Sequence, residues 1–341
     1  MNILGIETSC DETAAAIVTD GRRIVSNIVA SQIEIHKAFG GVVPEVASRH
    51  HVESVTRVVD EAFRAAKMSW EDVDVIAVTC GPGLLGALLV GLSAAKGYAL
   101  ATGLPLVGVH HIAGHVAAAM LTDEGHLPAL ALVVSGGHTE LLRISEDFRF
   151  ARLGGTIDDA AGEAYDKVAR LLGLPYPGGP EVDALAAKGD KDAFSFPKSL
   201  LDDPSYNFSF SGLKTAVANT LTKKRNARED ISVADVCASF QKAVTEVLVE
   251  KTARAVLETG LRDVVLAGGV AANSGLRAAL LARADSDGFR LHMPPLALCT
   301  DNAAMIAAAG YYAFRRGAVH SLSLNAYATL SMDRWQTDAQ L

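Results

Sequence analysis

Short apolar runs alternate with longer stretches of helical periodicity from the first residues onward. Ile3–Glu7 and Thr13–Val18 flank the polar turn Thr8-Ser9-Cys10-Asp11-Glu12 and read as a strand pair, with Arg23–Val29 as a third strand. Across Glu45–Ala66 the apolar residues Val52, Val55, Val59 and Phe63 keep the spacing of one helix face. Val73–Thr79 reads as a strand, Leu84–Ala101 as a helix of small apolar residues, and Leu106–Val109 as a short strand leading into His110. The second half opens in the same way: Ala129–Val134 and Thr139–Ile144 flank Ser135-Gly136-Gly137-His138. Further on, Val264–Ala267 runs into Gly268-Gly269, and a helix starts at Ser274. A last helix, Asn302–Arg316, meets a favourable stop at Gly317. The polar segment Gly189–Tyr206, with Pro197 and Pro204, reads as a surface excursion. Strands alternating with helices predict α/β architecture, with a hairpin at the head of each half and no short repeat.

Composition narrows the class. With 341 residues, half of them hydrophobic and 21% charged, the chain has ample material for a core, which excludes a largely disordered protein. Cys10, Cys80, Cys237 and Cys299 are far apart, which argues against a disulfide scaffold or zinc ribbon and predicts a reducing compartment. The most apolar stretch, Gly83–Ala95, is broken by glycines and ends at Lys96, and the opening MNILGIETSCDET reads as a folded strand. No membrane span and a cytoplasmic location are therefore expected. The formal net charge of −8 means that any contact with nucleic acid must rest on local patches or a partner.

Three groups of residues carry candidate chemistry. In His110-His111-Ile112-Ala113-Gly114-His115, a helical turn would set His111 and His115 on one face, a spacing that suits zinc or a first-row transition metal. The protease motif H-E-x-x-H is not met, because Ile112 follows His111. Asp301, just before a helix, reads either as its N-cap or as a third metal ligand. The second group is three glycine-rich turns, at Ser135–His138, Tyr176–Pro180 and Ala267–Val270, whose backbone N–H groups suit phosphate. Gly81, Gly83 and Gly86 follow a strand but lack both the Walker lysine and the acidic ribose partner. The third is Thr156–Lys167, where Asp159, Glu163 and Asp166 share a face if the stretch is helical. They form either a solvated face or a set of acceptors for ribose or substrate hydroxyls. Asp11 and Glu12 either cap the first turn or present carboxylates to a cleft. Asn207–Thr215 reads as a helix entry with buried phenylalanines or as a substrate lip. Lys223-Lys224-Arg225 with Arg228 reads as a solvated helix end or an RNA contact.

Taken in order, ILGIETSCDET, GGVVPEVASRHH, GPGLLGALLVG, HHIAGH, VSGGHTEL, IDDAAGEAYDKVARLLGLPYPGGP, FSFSGLKTA, AGGVAAN and CTDNAAMIA resemble the TsaD family from Met1 to about Arg316. This is the catalytic subunit of tRNA threonylcarbamoyladenosine synthesis, formerly described as an O-sialoglycoprotein endopeptidase. The resemblance implies the actin/sugar-kinase/Hsp70-like (ASKHA) α/β fold with an interlobe nucleotide cleft. The N-terminal lobe is expected over 1–110 plus about 302–325, and the C-terminal lobe over 111–301. It implies one divalent metal ion per subunit, iron or zinc, on His111, His115 and Asp301. It implies adenylate contacts at Val133, Val134, Ser135, Gly136, Gly137, Asp166, Gly179, Asp183 and Asn273. Archaeal and eukaryotic members carry a metal-binding Tyr where this chain has Val133, so the resemblance is to the bacterial branch.

The implied reaction moves a threonylcarbamoyl group from L-threonylcarbamoyl-AMP to N6 of the adenosine 3′ to the anticodon, in tRNAs reading codons that begin with A. Asp11 and Glu12 are the candidates for orienting the amine or accepting its proton. Bacterial members pair through the N-terminal lobe with the related subunit TsaB, and the ATPase TsaE joins them. Two other classes remain open at this stage: a metallopeptidase, and a non-catalytic ATPase of the same fold. The apolar surplus on Glu45–Ala66 and Leu84–Ala101 suits internal packing and a partner interface equally.

Overall fold

Small residues set how closely the elements of this chain approach one another. The structure is a computed structural model that describes residues 1–121 and 127–337. The chain begins with β1 (Asn2–Glu7), β2 (Glu12–Thr19), β3 (Arg23–Ser31), α1 (Ile33–Lys37), α2 (Pro44–Ala66), β4 (Val75–Gly81), α3 (Leu85–Thr102), β5 (Leu106–His110) and α4 (His111–Ala118). There follow β6 (Ala129–Val134), β7 (Thr139–Ile144), β8 (Phe150–Gly155), α5 (Ala161–Leu171), α6 (Gly178–Ala186), α7 (Ser211–Asn226), α8 (Val233–Thr259), β9 (Asp263–Ala267), α9 (Ser274–Asp287) and β10 (Arg290–His292), and last α10 (Ala303–Arg315) and α11 (Met332–Thr337).

Contacts divide the chain into two units. Unit 1 comprises Met1–Leu127, Ile144–Ala151 and Pro294–Leu341, and unit 2 comprises Pro128–Arg143 and Arg152–Met293. These divisions differ from the expected 110/111 and 301/302. The reason is α4, which packs on α10 and so keeps His111–Ala118 in the first unit.

Unit 1 is built on a five-stranded sheet in the order β3-β2-β1-β4-β5. β1 runs antiparallel to β2 and parallel to β4, and β4 runs parallel to β5. β4 is buried along its whole length, the pattern of a strand covered on both faces. The helix α10, AAMIAAAGYYAFR, packs against β1, β2, β4 and β5, while α2 packs on β2 and β3, and α3 on β4. A Cβ at Gly5 would stand 2.3 Å from the Ala303 carbonyl oxygen, and one at Gly310 would stand 2.4 Å from the Ala77 Cβ. The α10 backbone therefore lies directly on the central strands. By length and composition α3 is long and apolar enough to cross a membrane; here it packs against α2 and β4.

Unit 2 contains the sheet β10-β9-β6-β7-β8, in which β9 runs parallel to both β6 and β10. The expected hairpin heads, helices and strands are present within a few residues. Elements the periodicity did not show are β8, β10, α1, α6, α8 and α11. The expected helical face Asp159–Glu163–Asp166 is corrected: α5 starts at Ala161, so Asp159 precedes it, and Lys167 bridges Asp159 at 2.7 Å and Glu163 at 2.8 Å.

Replacing Gly5 with Ala forces backbone apart from backbone. Such overpacking is expected to cost about 1–3 kcal/mol of unfolding free energy, measured by urea denaturation.

Candidate functional site

The histidine pair is placed by the start of a helix. His110 ends β5 and caps α4, its Nδ1 accepting from the Ile112 N–H at 3.2 Å while its Nε2 faces the Leu330 carbonyl at 2.9 Å. His111 and His115 then stand one turn apart on α4, their rings in an edge-to-face arrangement 4.6 Å apart. Opposite them is Asp301. The N-cap of α10 is Asn302, whose Oδ1 accepts from the Met305 N–H at 3.1 Å, so the capping reading of Asp301 is set aside. The Asp301 carboxylate oxygen Oδ1 instead lies 3.2 Å from His115 Nε2 and 3.6 Å from His111 Nε2. One ligand atom from each of the three residues falls within 4.8 Å of the others, and this group can hold a metal ion. Gly114 permits the convergence, because a Cβ there would stand 2.7 Å from Ile306 Cδ1 on α10.

A residue that the sequence reading passed over completes the arrangement. Glu7, at the end of β1, has no exposed surface. Its Oε1 accepts from the Ser9 N–H at 2.5 Å and its Oε2 from the Thr79 hydroxyl at 2.7 Å. The same Oε2 lies 3.1 Å from His111 Nδ1. An Nδ1–H held by a carboxylate leaves the Nε2 lone pair facing the other donors, the usual support of a metal-binding imidazole. Two imidazoles and a carboxylate also match borderline first-row ions. An acidic residue in an otherwise apolar strand was the available sequence signal for Glu7.

The surroundings are strongly negative. Asp11 and Glu12 are both buried at the β1–β2 turn. Burial, then the charges of Asp301 and Asp11, push the Glu12 carboxyl up to about 9. Burial also pushes the Cys10 thiol far above its usual range, with Asp11 and Asp301 adding to it. Burial alone would lower His111, but Asp301 and Glu7 outweigh it and lift the imidazole to about 9. The carboxylates of Glu7 and Asp301 against the two imidazoles, with the Glu12 carboxyl close enough to Asp301 to hold its proton, form an acidic site whose charge a cation would offset. The structure thus brings Asp11 and Glu12 into the electrostatic surroundings of Asp301.

In unit 2 a cavity of about 370 Å³ lies beyond the carboxyl ends of the parallel strands β6 and β9, where open α/β sheets bind their ligands. Gly136, Asp166, Gly179, Asp183 and Asn273 line it, together with Gly162, Tyr165 and Ser274, which the sequence reading did not single out. The starts of α5, α6 and α9 all contribute to its wall, so the positive ends of three helices meet there, although Ser135, Asp166 and Asp183 already accept from N–H groups at those starts. Ser135–His138 forms a closed turn, the Ser135 N–H donating to the His138 carbonyl at 2.8 Å. A Cβ at Gly136 or Gly137 would meet nothing within 4 Å, whereas one at Gly162 would stand 2.5 Å from the Ser135 carbonyl. Val133 and Val134 are fully buried in β6 and present no side-chain surface.

The acidic pocket residues are already engaged. Asp166 Oδ1 accepts from the Gly178 N–H at 2.8 Å; burial raises its carboxyl, partly countered by the Gly178 and Gly179 N–H groups. Asp183 accepts from Gln241, from the Ser274 N–H and from the Ser274 hydroxyl. Phe208 and Phe210 are fully buried at the entry of α7, which favours their packing role over a substrate lip. Lys223, Lys224 and Arg225 occupy the last turn of α7, and Lys224 pairs with Glu229.

Removing the charge of Glu7, as Glu7→Gln, is expected to weaken binding of zinc or iron(II) by about 10–100-fold, read by metal titration calorimetry.

A family model described as "TsaD: tRNA N6-adenosine threonylcarbamoyltransferase" matches residues 23–308. The tRNA N6-adenosine threonylcarbamoyltransferase of Bacillus subtilis (strain 168) is 60% identical over 338 residues, covering 99% of this chain and 97% of the relative. The protein of that name from Geobacillus thermodenitrificans (strain NG80-2) is 58% identical over 325 residues, 95% of each. Among solved structures, full-length HypF in its phosphate- and nucleotide-bound form superposes with a TM-score of 0.61 at 14% identity, over 92% of this chain and 46% of that one. The ROK hexokinase of Thermus thermophilus gives 0.51 at 17%, over 93% and 99%. At such identities the likeness is one of fold, the ASKHA type of α/β architecture.

Proposed function

This chain belongs to the tRNA N6-adenosine threonylcarbamoyltransferase family, in its bacterial branch, and on that premise we propose how its residues divide the work. The protein is a transferase that modifies tRNA, forming threonylcarbamoyladenosine. Its relatives share that name, and neither the peptidase nor the non-catalytic ATPase reading is favoured. The donor in our reading is L-threonylcarbamoyl-AMP, a mixed anhydride. The adenosine N6 attacks its carbamoyl carbonyl, the C–O bond to phosphate breaks, AMP leaves, and a proton leaves N6. The acceptor is the adenosine 3′ to the anticodon, where an unstacked loop base is open to attack.

The observation that carries this reading is the convergence of His111, His115 and Asp301, with Glu7 fixing the His111 tautomer. A divalent iron or zinc ion on these three residues supplies a Lewis acid for a carbonyl. Asp11 and Glu12 orient the weakly nucleophilic amine or accept its proton. In unit 2 the Ser135–Gly137 backbone takes the phosphate, and the positive ends of three helices favour its charge. Asp183 Oδ1 already accepts from Gln241 and from the Ser274 hydroxyl, whereas Oδ2, which accepts from the Ser274 N–H, has capacity for a further donor, which suits a ribose hydroxyl. Asp166 and Gly179 border the same cavity, and Asn273 meets the nucleoside end.

The protein acts in the cytoplasm with partners. The outer surface of α2 and α3 exposes Val52, Leu85, Leu89 and Leu100, the last at 73%. We place a TsaB-like subunit there, with a TsaE-like ATPase joining the pair. The partner supplies part of the cationic surface that a chain of net charge −8 needs for tRNA.

The decisive experiment combines metal analysis with nucleoside mass spectrometry of tRNA incubated with threonylcarbamoyl-AMP. His111→Ala is expected to lose both the metal and the modified nucleoside; full metal occupancy in that variant contradicts the assignment. Gly137→Val is expected to weaken AMP binding, because branched bulk enters where backbone meets phosphate. Unchanged affinity by calorimetry counts against the phosphate site. Leu89→Glu is expected to abolish association with the TsaB-like subunit in light scattering while leaving unfolding unchanged; a complex of undiminished size rejects the interface.

A further inference from the structure

Beneath the unit 2 cavity, one side chain joins three of the elements that form its wall. Gln241, on α8, is buried and does not itself line the cavity. Its Nε2 donates to Asp183 Oδ1 on α6 at 3.0 Å. Its Oε1 accepts from Asn273 Nδ2 at 2.8 Å and from the Tyr165 hydroxyl of α5 at 3.3 Å. The directions are forced. A carboxylate only accepts, so the nitrogen of Gln241 must face Asp183 and its oxygen must face Asn273. Asn273 has no alternative either, because its Oδ1 accepts from the Leu276 N–H at 2.8 Å as the cap of α9. Ser274 closes the ring by donating its N–H and hydroxyl to Asp183.

We propose that Gln241 is a positioning residue, whose amide holds the Asp183 carboxylate and the Asn273 amide in the orientation that a ribonucleotide requires. This rests on the nucleotide reading above. Its reach is the part of the ligand met by Asp183 and Asn273, the ribose and nucleoside end, and not the phosphate. Gly275 marks how closely the amide is seated: a Cβ there would stand 2.4 Å from Gln241 Nε2. That contact is with the end of a flexible side chain. Gly275→Ala therefore displaces the amide without deleting or charging any polar group.

The test is AMP binding to the full chain by titration calorimetry, for wild type, Gln241→Glu and Gly275→Ala, with thermal unfolding to confirm the fold. Gln241→Glu keeps shape but sets a carboxylate against Asp183. The titratable groups meeting this position are Asp183 of α6 and Tyr165 of α5, whose hydroxyl burial and Asp183 push above the usual phenol range. Asn273, which caps α9, and Ser274 and Gly275 at its start do not titrate, and β6 offers only apolar side chains.

Above neutral pH, Gln241→Glu is expected to bind AMP about tenfold more weakly than wild type, the scale of one misdirected hydrogen bond to a charged group. On acidification the loss is expected to shrink, because a shared proton restores a donor between the two carboxylates. Gly275→Ala is expected to weaken binding without that pH dependence. A purely structural role for Gln241 produces no such difference between the two profiles. Wild-type affinity in both variants, or a Gln241→Glu profile parallel to wild type, overturns the inference alone. A wild-type chain that binds no AMP removes the nucleotide reading and this inference together.

Discussion

The close seating of an alanine-rich helix on a sheet is the constraint from which the His111–His115–Asp301 cluster follows. Gly5 and Gly310 let the α10 backbone lie against β1 and β4, and Gly114 lets α4 lie against α10. Asp301 lies just before Asn302, the cap of α10, and the two histidines belong to α4, so the packing of α4 on α10 brings the three side chains together. A side chain at Gly5 would press on the α10 backbone and one at Gly310 on the Ala77 Cβ of β4, while one at Gly114 would press on the end of the Ile306 side chain. Glu7 sits on the strand that α10 covers, which brings the support for His111 from the same contact.

Unit 2 solves a similar problem with polar groups. Gly162 brings the start of α5 against the Ser135 carbonyl, and Gly178 brings α6 against Asp166. The helix starts thereby face one cavity, and their partial charges point at it. The carboxylates at the rim then face an electrostatic compromise. Asp166 and Asp183 oppose an anionic ligand, yet each is tied to backbone N–H groups that spread its charge. The result is a surface that can meet a phosphate and hydroxyls within one pocket.

Much of the fold was legible because most strands are bounded by turns and α2 has one polar face. The histidine pair was legible because four residues is one helical turn. Three kinds of feature were not. The helix α8 is buried over most of its surface, so its sequence shows no polar stripe to reveal a period. Glu7 and Gln241 are single polar residues whose partners lie far along the chain; an acid ending an apolar strand marks Glu7 as unusual but not what it contacts, and Gln241 carries no local mark at all. The helical face of Asp159, Glu163 and Asp166 was misread because Thr156 holds the Asp159 carbonyl at 2.6 Å before α5 begins. A side chain bonding to nearby backbone competes there with the helix ladder.

The segment beyond α10 lies outside the matched family region, yet it has a defined physical task. β5 is the last strand of its sheet, and its outer side would offer bare N–H and C=O groups. The tail supplies partners for them. The His320 N–H donates to the Leu106 carbonyl, the Gly108 N–H donates to His320 Nδ1, and the Trp335 indole donates to the Gly108 carbonyl. His110 reaches the Leu330 carbonyl from the end of the same strand. An uncovered edge of this kind is a template on which another chain can add a strand. The tail is thus a built-in edge guard, and the strand it shields is the one from which the histidine-bearing helix α4 departs. Shortening it would expose an aggregation-prone edge beside the cluster without altering a single ligand.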